Sequence, residues 1–338
     1  MKNFTLYISI AGTLFFSSCG NSRLHVDTGD VTIPEVTIAR LDQDLFKMDT
    51  TNIEVETKKL EKKYGHFYSG FIVGILNNGG IRDSSYSHRI KQFIRDRDMQ
   101  QAYLDCQKTY PTTDTLQKEF TDAFKYFSYY FPNRKLPKVV TMMSGFNRDI
   151  ILLDSTLAIG LEMYLGSNNL FYRMLDLPRY KTSFMTKQAI LPDAVRAWMM
   201  SEFPYMMDKT DFLSDITYMG KIMYLTDALL PDMNDSLKLK YSQKQIDYCT
   251  QNEFNIWSYF AAQKLLYTTD QAEIMKFTSD GPFTSALSKE SAPRIAYWVG
   301  RQIVKQYMEN NPDVTIEQLM KEPDAQKILA KAKYKPRK

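Results

Sequence analysis

The sequence predicts an α+β fold that is mostly helical, with a small central β-sheet packed by long helices. Three observations carry that expectation. Long stretches repeat their apolar residues every three or four positions and are bounded by helix caps. Three short apolar runs cluster between residues 138 and 164. The composition, 44% hydrophobic and 13% aromatic, is enough for one sizeable core. No repeat, low-complexity segment or linker interrupts residues 37–338, so that span reads as a single globular domain.

The N-terminus is read first. Residues 4–16 are mostly apolar and follow Lys2. That is the length of a signal-peptide core and too short to span a bilayer of about 30 Å. Ser17, Ser18 and Cys19 then give the small-small-cysteine end of a bacterial lipobox. Small side chains suit the peptidase that cuts before Cys19, and the thiol becomes the lipid thioether. Phe16, where leucine is usual, departs from the pattern. An ordinary secretory signal and a transmembrane anchor are the competing readings. Residues 1–18 are thus expected to be a signal peptide, Cys19 the lipidated residue, and residues 19–36 a polar tether ending near Pro34. Several acyl chains hold a protein on a membrane where one does not. No acidic run follows Cys19, which favours the periplasmic face of the cell envelope.

Helices dominate the rest. Thr51-Asn52-Ile53-Glu54 reads as a capping box opening a helix that ends near Gly65. Apolar residues at 116, 120, 124, 127 and 131 make a helix between Asp114 and Pro132. The runs 138–143, 149–154 and 156–164 read as a small meandering sheet. Ser242-x-x-Gln245 is a second capping box, before a long aromatic-rich helix. Pro293 is expected in the first turn of the last long helix, where its missing N–H costs little.

Several chemistries are excluded. The net charge of +4 is too mild to suggest nucleic acid. The basic end KAKYKPRK (331–338) is a local exception, read as a solvated terminus or as a contact for anionic lipid or a partner. With Cys19 lipidated, Cys106 and Cys249 remain, and both are expected as semi-buried thiols. His25, His66 and His88 are the only histidines, and no pair has the spacing of a zinc-binding helix, so neither a metal nor a cofactor is expected. No P-loop or dinucleotide fingerprint is present. Buried carboxylates must find donors or neutralise. Glu162, Glu253, Arg294, Trp298 and Arg301 are therefore grouped as a candidate groove. The competing reading is structural ion pairs between helices and an aromatic core.

The blocks LPKVVTMMSGFNRDIILLDSTLAIGLEMYLG (136–166), YMGKIMYLTDALLPD (218–232), QNEFNIWSYFAAQKLLYTTD (251–270) and APRIAYWVGRQIVKQYMENN (292–311) carry a resemblance. The chain resembles the gliding-motility lipoprotein GldB family of Bacteroidetes from Ile38 to Lys338. That resemblance implies a lipid-anchored envelope protein with partners in the gliding-motility and type IX secretion machinery. It brings no catalytic residues with it, so a non-catalytic role is expected. The sheet-and-helix order also looks like predicted zincin-like peptidases, which would imply a degenerate core that has lost its metal motif. The alternative function is then an envelope hydrolase using Glu162, Glu202 or Glu253 as general base.

Overall fold

The computed structural model describes residues 23–336. The expected signal peptide, Cys19 and the last two residues of the basic end lie outside the described residues. The fold is α+β and mostly helical, 57% helix against 5% strand, with one mixed four-stranded sheet. The strands are β1 (Ile38–Arg40), β2 (Lys138–Met142), β3 (Ile150–Leu153) and β4 (Thr156–Gly160). Twelve helices matter below. In the first half they are α1 (Leu41–Phe46), α2 (Ile53–Tyr64), α3 (Arg97–Thr109), α4 (Asp114–Tyr130) and α5 (Ile190–Glu202). In the second half they are α6 (Phe212–Leu229), α7 (Asp235–Leu239), α8 (Gln243–Gln251), α9 (Glu253–Ala262), α10 (Ile295–Asn310), α11 (Ile316–Lys321) and α12 (Ala325–Ala332).

The sheet is not a meander. Its order is β1-β2-β4-β3, with β1-β2 and β2-β4 parallel and only β3-β4 antiparallel. All five residues of β4 are buried, whereas β3 is half-buried throughout. A continuously apolar strand belongs in the middle of a covered sheet, so β4 inserts between β2 and β3. Gly160 makes the insertion possible, because a Cβ there would lie 2.3 Å from the Arg148 carbonyl oxygen. Asp154 and Ser155 turn the β3-β4 hairpin with φ of 49° and 56°, the left-handed pair that a two-residue hairpin loop needs. At three residues, β1 is too short to leave a periodic signal.

The helical expectations were met in part. Ser242 and Gln245 form the expected capping box of α8. The Thr51 box does not form, because the Thr51 hydroxyl and N–H both donate to Asp49 at 2.7 and 2.9 Å. The long helix expected after Ser242 breaks at Asn252 into α8 and α9. Pro293 lies before α10 and not in its first turn, since Arg294 stands at φ 51° and the helix starts at Ile295. The Thr284 hydroxyl, from another segment, receives the Ile295 N–H and donates to the Ala292 carbonyl, fixing this late start. Residues 23–36, expected as a tether, lie on the domain: the Arg23 guanidinium donates to the Met308 carbonyl at 2.7 Å and to that of Val314.

The core is held by the pair α6 and α10, which pack against each other more extensively than any other two helices. Their backbones touch. A Cβ on Gly300 would lie 1.8 Å from the Ile216 carbonyl oxygen, and one on Gly220 would lie 2.3 Å from that of Gly300. A backbone carbonyl cannot swing away, so only glycine permits this approach. Gly300→Ala is expected to cost about 3 kcal/mol, the upper range for overpacking, read as a lowered urea midpoint at unchanged slope. Gly74→Ala, where the added Cβ meets nothing within 4 Å, serves as the control and leaves stability unchanged or slightly raised.

Candidate functional site

The five expected groove residues are dispersed over five environments. Glu162 sits in the 3-10 turn Leu161–Tyr164 that follows β4, so the expected strand 156–164 ends four residues early. Its side chain is fully buried. The loop after β2 wraps around it, with Gly145 at φ 71° and Phe146 at φ 60°. Successive left-handed residues turn backbone N–H groups inward as an anion-binding concavity. Oε1 accepts from the Ser144 N–H at 2.5 Å, the Ser144 hydroxyl at 2.6 Å and the Phe146 N–H at 3.2 Å. Oε2 is buried with no partner. Burial pushes this carboxyl up despite the donors that favour its charged form.

Glu253 is at the start of α9, where its carboxylate accepts from the Tyr334 hydroxyl at 2.7 Å. Glu202, the last residue of α5, accepts from the Arg134 guanidinium. Trp298 is 3% exposed and belongs to the core, as the aromatic-core reading expects. Arg301 lies among two anions and a second cation. It donates to Asp227 at 2.7 Å and bidentately to Asp235 at 2.9 and 3.0 Å, while Lys238 reaches the same two aspartates at 2.8 and 3.1 Å. Two positive and two negative groups balance, which makes the cluster a structural tie between α6, α7 and α10.

Arg294 alone of the five lines a cleft. This cleft of about 390 Å³ is bounded by residues 180–185, Lys240, Ser242, Gln245, residues 280–282, Pro293 and Arg294. Lys240 and Arg294 both stand on left-handed backbone, at φ 56° and 51°. Lys240 is tied at 2.7 Å to Asp193, which also accepts from the Tyr164 hydroxyl and from Arg196, each at 3.0 Å. Arg294 donates through Nη2 to the Leu239 carbonyl, and its buried Nε has no hydrogen-bond partner. Asp280, 3.9 Å from both Arg294 and Lys181, is the nearest anion. The cleft offers donors and positive charge, but no histidine lines it.

A larger cavity carries none of the expected residues. It measures about 920 Å³ and lies beneath residues 31–37, walled by Lys63, Tyr64, Phe124, Tyr129, residues 134–140 and Thr156. Its walls come from five separate stretches of chain, so no local sequence pattern marks it. Lys135 and Lys138 are exposed at its margin. Among the described residues no group of three or more His, Cys, Asp or Glu side chains is placed to hold a metal ion. Cys106 and Cys249 are free and buried, as expected of thiols outside a disulfide.

The family described as gliding motility protein GldB matches residues 21–336. The chain belongs to that family. No curated protein and no solved structure matches, so the expected zincin-like kinship has no support. The family match starts two residues after Cys19 and runs through every element described above, which makes the whole fold the family's unit.

The Glu162 cradle generates a pH-dependent prediction. Its folded pKa lies above the unfolded value, so its contribution is full in acid and is lost as pH rises through the folded value. Glu162→Gln keeps the Oε1 acceptor and is expected to flatten that decline in thermal midpoint with rising pH. Glu162→Ala orphans the Ser144 and Phe146 N–H groups and should lose about 2 kcal/mol or more at every pH.

Proposed function

We propose that this chain is a lipid-anchored envelope protein, acylated on Cys19 and facing the periplasm. In this reading it serves the gliding-motility and type IX secretion machinery as a non-catalytic component. The observation that carries the reading is the family match over residues 21–336, which begins just past the lipobox cysteine. No helix of the described residues is long and apolar enough to cross a membrane. The non-catalytic role is supported by the three candidate bases, each of which is engaged by the fold. Glu162 is held by three donors, Glu202 by Arg134 and Glu253 by Tyr334. A general base needs its acceptor open to the substrate proton.

The test is in-cell acyl labelling and crosslinked pull-down of the tagged chain beside Cys19→Ala. The expected outcome is an acyl label and a defined set of envelope partners, both lost in the variant. Unlabelled wild-type protein would defeat the anchor. Loss of motility on Glu253→Gln, with fold and partners intact, would defeat the non-catalytic role.

A further inference from the structure

The N-terminal strap and the basic C-terminal stretch meet at one corner of the domain. The Arg23 guanidinium reaches three carbonyls where α10 ends and turns towards α11: Met308 at 2.7 Å, Asn311 at 3.4 Å, and Val314. A cation suits the end of a helix, where unpaired carbonyls gather. Two asparagines at this helix end hold the end of α12. Asn310 donates from its side chain to the Ala332 carbonyl at 2.6 Å, and Asn311 to that of Lys331 at 3.4 Å. Two residues on, the Tyr334 hydroxyl is held by Glu253, and its ring stands edge-on to Trp257 at 5.1 Å. The C-terminal stretch is therefore pinned from Ala332 to Tyr334.

Three lysines, Lys331, Lys333 and Lys335, are exposed on this pinned stretch, and none is within an ion-pair distance of a described carboxylate. The other charges at this end are mostly spent on each other, with Lys321 on Glu317 and Lys327 on Glu322. Glu309 and Asp313 are the exposed acids beside it. This arrangement rests on the anchor reading above in one respect. Cys19 and Arg23 are four residues apart, which at roughly 3.3–3.6 Å per residue allows about 14 Å at full stretch. An acylated Cys19 thus brings the bilayer surface close to the Arg23 clamp, and with it to the three lysines.

We propose that this corner lies on the membrane surface, with Lys331, Lys333 and Lys335 binding anionic lipid headgroups. The domain is then held by two signals, the acyl chains and a basic segment, and has a fixed orientation. Two things favour a lipid surface over a protein partner. The reach of the anchor delivers the bilayer to this place, and the uncompensated charge is of the sign that anionic headgroups attract within a Debye length.

The test uses the full acylated chain in vesicles of phosphatidylcholine with phosphatidylglycerol, with nitroxide on the lipid headgroups. A fluorophore is placed at Ala330→Cys, exposed on α12, or at Leu104→Cys, exposed on α3, which packs at the α1 side of the fold. Cys106 and Cys249 are buried and take no label. Quenching at position 330 is expected to exceed that at 104 several-fold. The difference should vanish without phosphatidylglycerol, and in the triple variant Lys331→Gln, Lys333→Gln, Lys335→Gln. Equal quenching at both positions, or a difference that survives the triple variant, overturns the proposal while the acyl mass on Cys19 upholds the anchor. A chain without that mass overturns both.

Discussion

The backbone contact between α6 and α10 is the constraint on which the rest of the structure depends. Glycines at 220 and 300 let two long helices meet carbonyl against Cα. That closeness aligns what the helices carry. Asp227 of α6 and Arg301 of α10 come within 2.7 Å, and Lys238 and Asp235 from α7 complete a balanced cluster on the same seam. Lys221, also on α6, donates to the Glu322 carbonyl and so ties the turn between α11 and α12 to the seam.

Buried carboxylates in this protein act as fasteners. Asp42 accepts from Arg40, Gln107 and Thr141 and joins β1, β2 and α3. Glu162 draws the loop after β2 around itself, and Asp193 gathers Tyr164, Arg196 and Lys240. Asp42 and Asp193 take donors from several elements, and Glu162 takes three from one loop, which offsets the cost of burying charge. Read in one dimension, such carboxylates leave a hydrolase as the alternative, although the three histidines offer no zinc-binding pair. Folded, most of those groups are already occupied by the scaffold.

Two hollow features remain outside that scaffold. The cleft beside Arg294 has donors and an unpartnered buried Nε, and the larger cavity under residues 31–37 is lined by apolar and polar side chains, with lysines at its margin. Both are walled by segments distant in sequence. The strap over the larger cavity comes from the very residues that a linear reading assigns to a loose tether. Their contacts make them part of the domain, and they bring the start of the described chain to its C-terminal end.

The sequence by itself determined the helical character, the place of the strand cluster, the Ser242 capping box, the buried thiols and the family. These follow from local spacing, from capping chemistry and from blocks long enough to be specific. It did not determine that β4 would insert beside β2, because strand order depends on which run is buried on both faces. It did not determine that Pro293 would precede α10, because a hydroxyl from Thr284 sets that start. Glu253 was legible as a carboxylate in an apolar helix, but its partner Tyr334 lies 81 residues away. Tertiary structure alone decided which charges pair, which helices touch, and that the two ends of the described residues share one corner. Each of these is a meeting of groups distant along the chain, and local pattern holds no record of such a meeting.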